Sequence, residues 1–377
     1  MAVNLRSIPF HKASIGDDEI NEVVDTLKSG WLTMGPKTIE FEKQFALATG
    51  AEFAVSMNSA TACLHLALKA IGLNAGDEVI IPTTTFASTA EVVTYFNATP
   101  VLCDINAEDH NIDTKKIEKL ITDKTKVIIP VHFSGIPCDM DEINRIAKKH
   151  DLKVIEDAAH SFPSQYKEKQ VGTLSDITCF SFYATKTLAT GEGGMATTNN
   201  EAYAKSMKCN RLHGISKDAW NRYSDKGNWY YEVVDNGYKY NMTDIAASLG
   251  LVQLKRANEL NQKRFEIAKR YNNAFYEHEA ISILQPEEHA VSSWHLYVIK
   301  VQNRDELMAK LKENGIGTSL HFIPIFEHPF YKHTYGYNSK HYPVAKRMYS
   351  ESISLPIFPD MTMDEVDYII NAVLDHV

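Results

Sequence analysis

The chain lacks the cysteine patterns that would mark a disulfide frame or a zinc site. Its five cysteines, Cys63, Cys103, Cys138, Cys179 and Cys209, include no CxxC pair and read as buried free thiols of a cytosolic protein. No apolar run is long enough to span a membrane. The opening stretch MAVNLRSIPFHKASIG has no apolar core of signal-peptide length, so the expected location is the cytoplasm. Excess positive charge is also missing. Lys and Arg number 39 against 48 Asp and Glu, a net charge of −9, which argues against nucleic acid and anionic membranes as partners. An anionic ligand would need local donors. No GxGxxG follows an early strand, which excludes a plain dinucleotide-binding dehydrogenase. Internal repeats and low-complexity segments are absent as well.

What is present is a long chain of 377 residues, 44% hydrophobic, enough for one large or two medium domains with ample core. SIGDDEINEVVDTLKSG predicts an amphipathic helix stopped by Gly30, and NSATACLHLALKAIG a second helix opened by small and hydroxyl residues. EVIIP (78–82), TPVLCDI (99–105), KVIIPVH (126–132) and LKVIED (152–157) are short and rich in β-branched residues, the pattern of buried parallel strands. MDEINRIAKKH fills one gap as a helix. The alternation predicts an α/β fold around a parallel sheet. From about residue 250 the texture changes. LVQLKRANELNQKRFEIAKRYNNAFYE is one long helical pattern, followed by WHLYVIKV as a strand, DELMAKLKENGIG as a helix and MDEVDYIINAVLDHV as a final helix. A smaller α+β domain is expected there, with the boundary near Ala247.

Ligands in open α/β sheets bind at the carboxyl ends of strands. Asp157 ends LKVIED, Phe86 lies just past EVIIP, and Ser181 and Lys186 follow TCFSF. These residue types match what pyridoxal phosphate needs. Asp157 would keep the pyridine nitrogen protonated, Phe86 would stack on the ring, and Lys186 would form the Schiff base and then act as general base. Ser59, Ala60 and Thr61 at a helix start, with Ser181, would hold the phosphate. The glycines of GEGG would let the backbone turn tightly beside the cofactor. Taken singly, each residue reads more plainly: Asp157 as a cap, Phe86 as core, Lys186 as a solvated cation. Their joint order is what points to the cofactor.

That order resembles the DegT/DnrJ/EryC1/StrS family of sugar aminotransferases over almost the whole chain. GWLTMGP (30–36), MNSATACLHLAL (57–68), EDAAH (156–160), SFYATKTLATGEGG (181–194), RLHG (211–214), GYKYNMTDIAASLG (237–250), WHLYVI (294–299) and HFIP…FY (321–331) are similar to the family's motifs in the family's sequence. The resemblance implies an aspartate-aminotransferase-like, type I fold. A large domain (1–247) would hold a mainly parallel seven-stranded sheet between helices, with a smaller α+β domain at 248–377. It implies a homodimer with shared active sites. It also places Ala159 on one face of the cofactor ring with Phe86 on the other, and His160 near the ring hydroxyl. Many members carry an asparagine in the GYKY segment that reaches the partner's phosphate. Here Lys239 stands there, with Asn241 two residues on. Where many members have histidine this chain has Tyr183, which either faces the sugar or packs.

TGEGGM and GYKYNMTDI are similar to the branch that aminates C4. DAWNRYSDKGNWYYEVVDNGYKYN and HFIPIFEHPFY are similar to UDP-4-amino-4-deoxy-L-arabinose aminotransferases. The implied reaction moves an amino group from L-glutamate to a nucleotide-linked, UDP-type 4-keto sugar, for cell-surface polysaccharide or lipopolysaccharide synthesis. Other C4 substrates, C3 amination and a non-catalytic cofactor-binding regulator are the alternatives. A dehydratase of this family would have histidine in place of Lys186. Thr33, Met34, Gly35, His321, Phe322 and His328 are expected near the sugar or nucleotide, and Arg211 and His213 near a donor carboxylate or phosphate. No metal site is expected, because the spacing of His321, His328 and His333 is irregular.

Overall fold

A computed structural model describes residues 7–215 and 231–377. Much of the DAWNRYSDKGNWYYEVV stretch therefore lies outside the described residues. The β-branched runs form strands as their composition predicts. In chain order the large sheet is built from β1 (Phe53–Met57), β2 (Glu78–Pro82), β3 (Thr99–Cys103), β4 (Thr125–Ile128) and β5 (Lys153–Asp157). A small hairpin follows, β6 (Gln165–Tyr166) and β7 (Lys169–Gln170), and then β8 (Ile177–Ser181) and β9 (Gly194–Thr198) complete the sheet. Around it lie α1 (Asp17–Ser29), α2 (Pro36–Thr49), α3 (Ala60–Ile71), α4 (Ala87–Thr94), α5 (Thr114–Ile117), α6 (Met140–Lys149) and α7 (Glu201–Asn210). The spatial order is β1-β9-β8-β5-β4-β2-β3, seven strands. Pairing is parallel from β3 through β2, β4 and β5 to β8, and β9 runs antiparallel to both β8 and β1.

This register positions the site. Because β5 and β8 are parallel, Asp157 and Ser181 emerge at one edge. Gly194, the first residue of antiparallel β9, pairs with Ser181 on one side and Met57 on the other. The end of β1, and with it the start of α3, is thereby brought to the same edge. Seven consecutive residues of α3, Ala62 to Leu68, are buried, because the helix lies between the sheet and its neighbouring helices. The cysteines are free, and all but the half-buried Cys209 are buried.

Beyond residue 231 the chain forms α8 (Asp244–Phe275), β10 (Ser282–Ile283), β11 (Ala290–Val291), β12 (Tyr297–Lys300), α9 (Arg304–Glu313), α10 (Pro329–Tyr335), α11 (Pro343–Glu351), β13 (Ser352–Leu355) and α12 (Met363–Leu374). β10, β12 and β13 make a second, antiparallel sheet. The long helix α8 is shared by two cores. Its Ala247 and Ala257 pack with Phe41, Phe45 and Phe182, whereas Ile267, Tyr271 and Phe275 pack with β12, β13 and α12. The expected boundary at Ala247 thus falls in the first turn of α8, and the change of core comes later along that helix. Ile8 belongs to the second core as well. α2 and α8 cross closely because residue 250 is glycine: a Cβ there would lie 2.6 Å from the Phe41 ring, inside any tolerable contact.

The strand expected over WHLYVIKV is shorter, Tyr297–Lys300. Trp294 has a positive φ of 50°, which breaks the extended run. The backbone of Ser293 and Leu296 instead bonds to Gly135 and Ser134 carbonyls. His295 is thereby turned away from the second sheet and toward the first. Among the described residues no helix is long and apolar enough to cross a membrane.

Candidate active site

A cavity of about 300 Å³ opens at the carboxyl edge of the large sheet. The sheet supplies Asp157 from β5 and Ser181 from β8. The turns beyond them supply Ala159, His160, Tyr183 and Lys186, the start of α3 supplies Ser59, Ala60 and Thr61, and Phe86 enters from the cap of α4. His321 and Phe322 reach in from the C-terminal half. Twelve residues named from the sequence are thus brought together, from five separate stretches of chain.

The two ends of the cavity differ electrostatically. Asp157 is 4% exposed. Its carboxylate accepts hydrogen bonds from the Thr89 hydroxyl at 2.7 Å and the Ala159 N–H at 3.2 Å. Burial raises its pKa, opposed by those two donors and then by the charge of Lys186. A cationic ring nitrogen facing it would favour the ionised form. Lys186 is pushed down to about 8, first by desolvation, with Asp157 pulling the other way. An amine near 8 has a minor but ready neutral fraction at physiological pH, far above that of a solvated lysine, and the neutral form is the nucleophile and base.

The start of α3 is a cradle for an anion. Ser59 caps the helix by accepting from the Ala62 N–H, while Ala60 and Thr61, the first two residues of the helix, line the cavity and their N–H groups have no intrahelical acceptor. Such N–H groups at a helix N-terminus favour phosphate. Gly194 makes the close approach possible. A Cβ on it would sit 2.5 Å from the Ser59 carbonyl carbon and 2.7 Å from the Ala60 nitrogen. A buried carboxylate, a desolvated lysine and free N–H groups around one cavity fit pyridoxal phosphate. Lys186 would hold its aldehyde carbon, Asp157 its ring nitrogen, and Ala60, Thr61 and Ser181 its phosphate.

The walls are aromatic. Phe86 lines the cavity with its ring 61% exposed, and it meets Phe322 edge-on at 6.0 Å. His160 stacks on Phe322 at 5.8 Å and lies 4.4 Å from the His295 ring. Its Nδ1 accepts from the Ser134 N–H, and burial holds its pKa well down. His295 is a site residue to which sequence reading assigns no role. Its Nε2 is 3.3 Å from the Lys186 amine, and its Nδ1 is buried without a partner among the described residues. The signal available was one titratable side chain in an otherwise apolar WHLYVI run. Thr85, Thr89 and Glu192 also escape the sequence reading. Thr85 and Glu192 line the cavity, and the Thr85 and Thr89 hydroxyls, 2.7 Å apart, support Asp157.

Other expected residues lie elsewhere. Arg211 is a correction. Its guanidinium is buried in an ion pair with Glu42 and bonds to the Ser56 carbonyl at 2.8 Å, so it braces α2, β1 and the end of α7 and is not available to a donor carboxylate. Arg211→Ala would strand the Glu42 carboxylate in the core. We expect a loss of about 3–5 kcal/mol in a denaturant titration. His213 is exposed and away from the cavity. His328 caps α10 at its start, and neither it nor the exposed His333 reaches the site. Thr33, Met34 and Gly35 also stand apart from this cavity. The Gly35 N–H bonds to Asp244 at 2.8 Å, and Asp244 in turn accepts from Lys37 and Thr38 at the start of α2. Lys239 is exposed, and Asn241 bonds to the Met242 carbonyl; neither lines this cavity.

A larger hollow of about 620 Å³ brings Lys300, Arg347 and Glu351 together and shares no lining residue with the cofactor cavity. It holds none of the groups the cofactor needs. No group of three or more His, Cys, Asp or Glu side chains among the described residues is placed to hold a metal.

The chain is similar to known proteins over nearly its whole length. Residues 13–374 match the model of the DegT/DnrJ/EryC1/StrS aminotransferase family. An uncharacterised protein of Methanocaldococcus jannaschii is 51% identical over 97% of this chain and 96% of its own. The spore coat polysaccharide biosynthesis protein SpsC of Bacillus subtilis is 48% identical over 98% and 96%. Among solved structures, the PLP-form of a putative sugar aminotransferase, Spr1654 from Streptococcus pneumoniae, superposes with a TM-score of 0.92 at 37% identity, covering 99% of this chain and 100% of that one.

Proposed function

We propose that this chain, which belongs to the DegT/DnrJ/EryC1/StrS aminotransferase family, moves an amino group from L-glutamate to the C4 keto group of a UDP-linked 4-keto sugar. The coarser statement is plain: the protein is a sugar aminotransferase whose cofactor is pyridoxal 5'-phosphate. The observation that carries the transamination is Lys186, a desolvated amine in the same cavity as a buried carboxylate and free helix N–H groups; the donor, the nucleotide and the C4 position rest on the resemblance of TGEGGM, GYKYNMTDI and HFIPIFEHPFY. Similarity to a spore coat polysaccharide protein supports a product destined for a cell-surface polysaccharide.

When bound, the cofactor supplies an electron sink that makes the Cα–H of an amino acid acidic. The residues divide the remaining work. Lys186 holds the cofactor, and as a free neutral amine takes the proton from Cα of the donor and later delivers one at the sugar carbon. Asp157 keeps the ring nitrogen protonated. Ala60, Thr61 and Ser181 anchor the phosphate, Phe86 and Ala159 clamp the ring, and His160 lies by its hydroxyl. His321, Phe322 and Tyr183 shape the space beside the lysine for the sugar.

The residues that stand apart from this cavity fit a second copy. We assign Thr33, Met34, Gly35, Lys239 and Asn241 to the partner's cavity in a homodimer, with the Lys239 ammonium on the partner's phosphate. Exposed Ile20, Val24 and Leu27 of α1 repeat at helical spacing and offer an apolar stripe for that contact.

The test is the visible spectrum of the purified holoenzyme. L-glutamate should discharge the cofactor band to the amine form, and a UDP-linked 4-keto sugar should restore it. A band that ignores glutamate would overturn the donor. A band restored only by 3-keto sugars would overturn the C4 reading.

A further inference from the structure

Behind the lysine lies a second chamber of about 230 Å³, lined in part by His11, Ser319 and Ile357. It shares the walls Tyr183, Thr185, His295 and His321 with the cofactor cavity. No carboxylate is among its lining residues. Its lining offers uncharged donors, the hydroxyls of Ser319, Thr185 and Tyr183 and the rings of His295 and His321, whereas the His11 Nε2–H is already given to the Ala184 carbonyl at 3.0 Å. His321 Nδ1 is paired with the Ser354 hydroxyl at 2.9 Å, which leaves Nε2 free to serve a ligand. The Nδ1 of His295 is buried and has no partner among the described residues.

A cation stands behind the wall. Arg264 is 1% exposed, and its guanidinium bonds to main-chain carbonyls of Trp294, His295 and Ile357 at 3.3, 3.5 and 2.7 Å. Two of those residues, His295 and Ile357, also line the chamber. No carboxylate among the described residues pairs with Arg264, and its Nε has no partner among them. A buried cation neutralised only by carbonyl dipoles is costly, and it leaves positive potential in the space beside it. His11 and His295 register that potential, whereas His321 registers the charge of Lys186. His11 is held at about 4 by burial and then by Arg264, and His321 at about 4 by burial and then by Lys186.

We infer that this chamber is an anion subsite and that it seats the α-carboxylate of the amino donor. The inference rests on the aminotransferase reading of Lys186. The α-carboxylate is one bond from the carbon that reacts at the lysine, and the chamber begins at His295, whose Nε2 is 3.3 Å from the lysine amine. A nucleotide's phosphate offers the same anionic chemistry, but it stands across the sugar ring from a C4 keto group. Donor and sugar would then occupy different sides of Lys186, the donor's carboxylate on the His11 side and the nucleotide outside it.

The experiment places a negative charge in the chamber. Ser319 is half-buried and its N–H pairs with the Ser354 carbonyl whatever the side chain. Ser319→Asp and the near-isosteric, uncharged Ser319→Asn are compared as holoenzymes by titration calorimetry with 2-oxoglutarate and, separately, with UDP. An unchanged cofactor band reports that both variants are folded and loaded. Ser319→Asp should weaken 2-oxoglutarate binding by about 30-fold or more, through repulsion at close range in a partly desolvated space. Ser319→Asn, whose amide N–H can replace the lost hydroxyl donor and which adds no charge, should lose at least about tenfold less affinity than Ser319→Asp, and UDP should stay within about threefold in both. Unchanged 2-oxoglutarate binding in Ser319→Asp overturns the subsite. Loss of UDP binding with 2-oxoglutarate unaffected overturns the donor assignment and makes the chamber a phosphate subsite. If the wild-type band ignores glutamate while 2-oxoglutarate still loses affinity in Ser319→Asp, the chamber stands and the proposed reaction falls.

Discussion

Lys186→Arg should lower turnover by about 10⁴-fold or more while the protein folds normally. Arginine keeps a positive charge and similar length, but its guanidinium does not lose a proton in proteins. It can neither bond to the cofactor's aldehyde carbon nor take the Cα proton. The fold has little stake in this side chain. The local turn is held by the main chain, Lys186 N–H to the Tyr183 carbonyl at 2.8 Å, and the amine lies in the cavity, not in a packed core. Far-UV circular dichroism and the unfolding midpoint should match the wild type, while the cofactor band is lost or removed by dialysis. The wild-type apoenzyme offers a pH test of the same residue. Only the neutral amine reacts with pyridoxal phosphate, so the rate of band formation should rise with pH through about 8, where burial has pushed Lys186. A midpoint near the 10.5 of a solvated lysine would show that the amine is not desolvated.

Asp157→Asn should have the second largest effect, about 10²- to 10³-fold in kcat, and it should do so without loss of stability. The substitution preserves shape. An asparagine oxygen can still accept from the Ala159 N–H. The Thr89 hydroxyl, already within 2.7 Å of the Thr85 hydroxyl, can turn to accept from the amide. What disappears is a carboxylate that burial disfavours. The unloaded variant should therefore be as stable as the wild type or slightly more so, by about 1 kcal/mol at most. Activity falls because nothing then holds the ring nitrogen protonated. The check combines single-turnover decay of the band with glutamate and the unfolding midpoint of the apoenzyme. A variant that lost both stability and activity would point to Asp157 as a structural cap.

Some of this was readable from residue order. EVIIP, TPVLCDI and LKVIED are short and apolar on both sides, a pattern that only a sheet covered on both faces tolerates, and each forms a strand at that place. The long 3.6-residue periodicity after residue 250 forms α8. The glycine stop at Gly30 has the positive φ, 75°, that such a stop requires. The place of Asp157, Ser181 and Lys186 in the cavity was legible because each lies within a few positions of a strand end and the strand itself carries it to the edge.

Other features were not legible, for specific reasons. Arg211 looks like a ligand for a carboxylate, and it is one, but the carboxylate is Glu42, 169 residues away. His295 sits in a run that scores as strand, and the positive φ of Trp294 diverts it to the cavity. Arg264 lies on an ordinary helical pattern, and nothing local distinguishes it from the exposed basic residues of the same helix.

The sequence by itself determined the family, the α/β alternation and the cofactor, and it singled out Lys186 and Asp157 as the residues proposed to carry the chemistry, because those depend on residue type at short range from a strand end. Tertiary structure alone decided which charged groups are spent on each other, which histidine meets the lysine, and that a second chamber without a carboxylate lies beside it. Those outcomes depend on distances between residues a hundred or more positions apart. Burial also sets the cost of leaving a charge unpaired, and burial is a property of the folded chain.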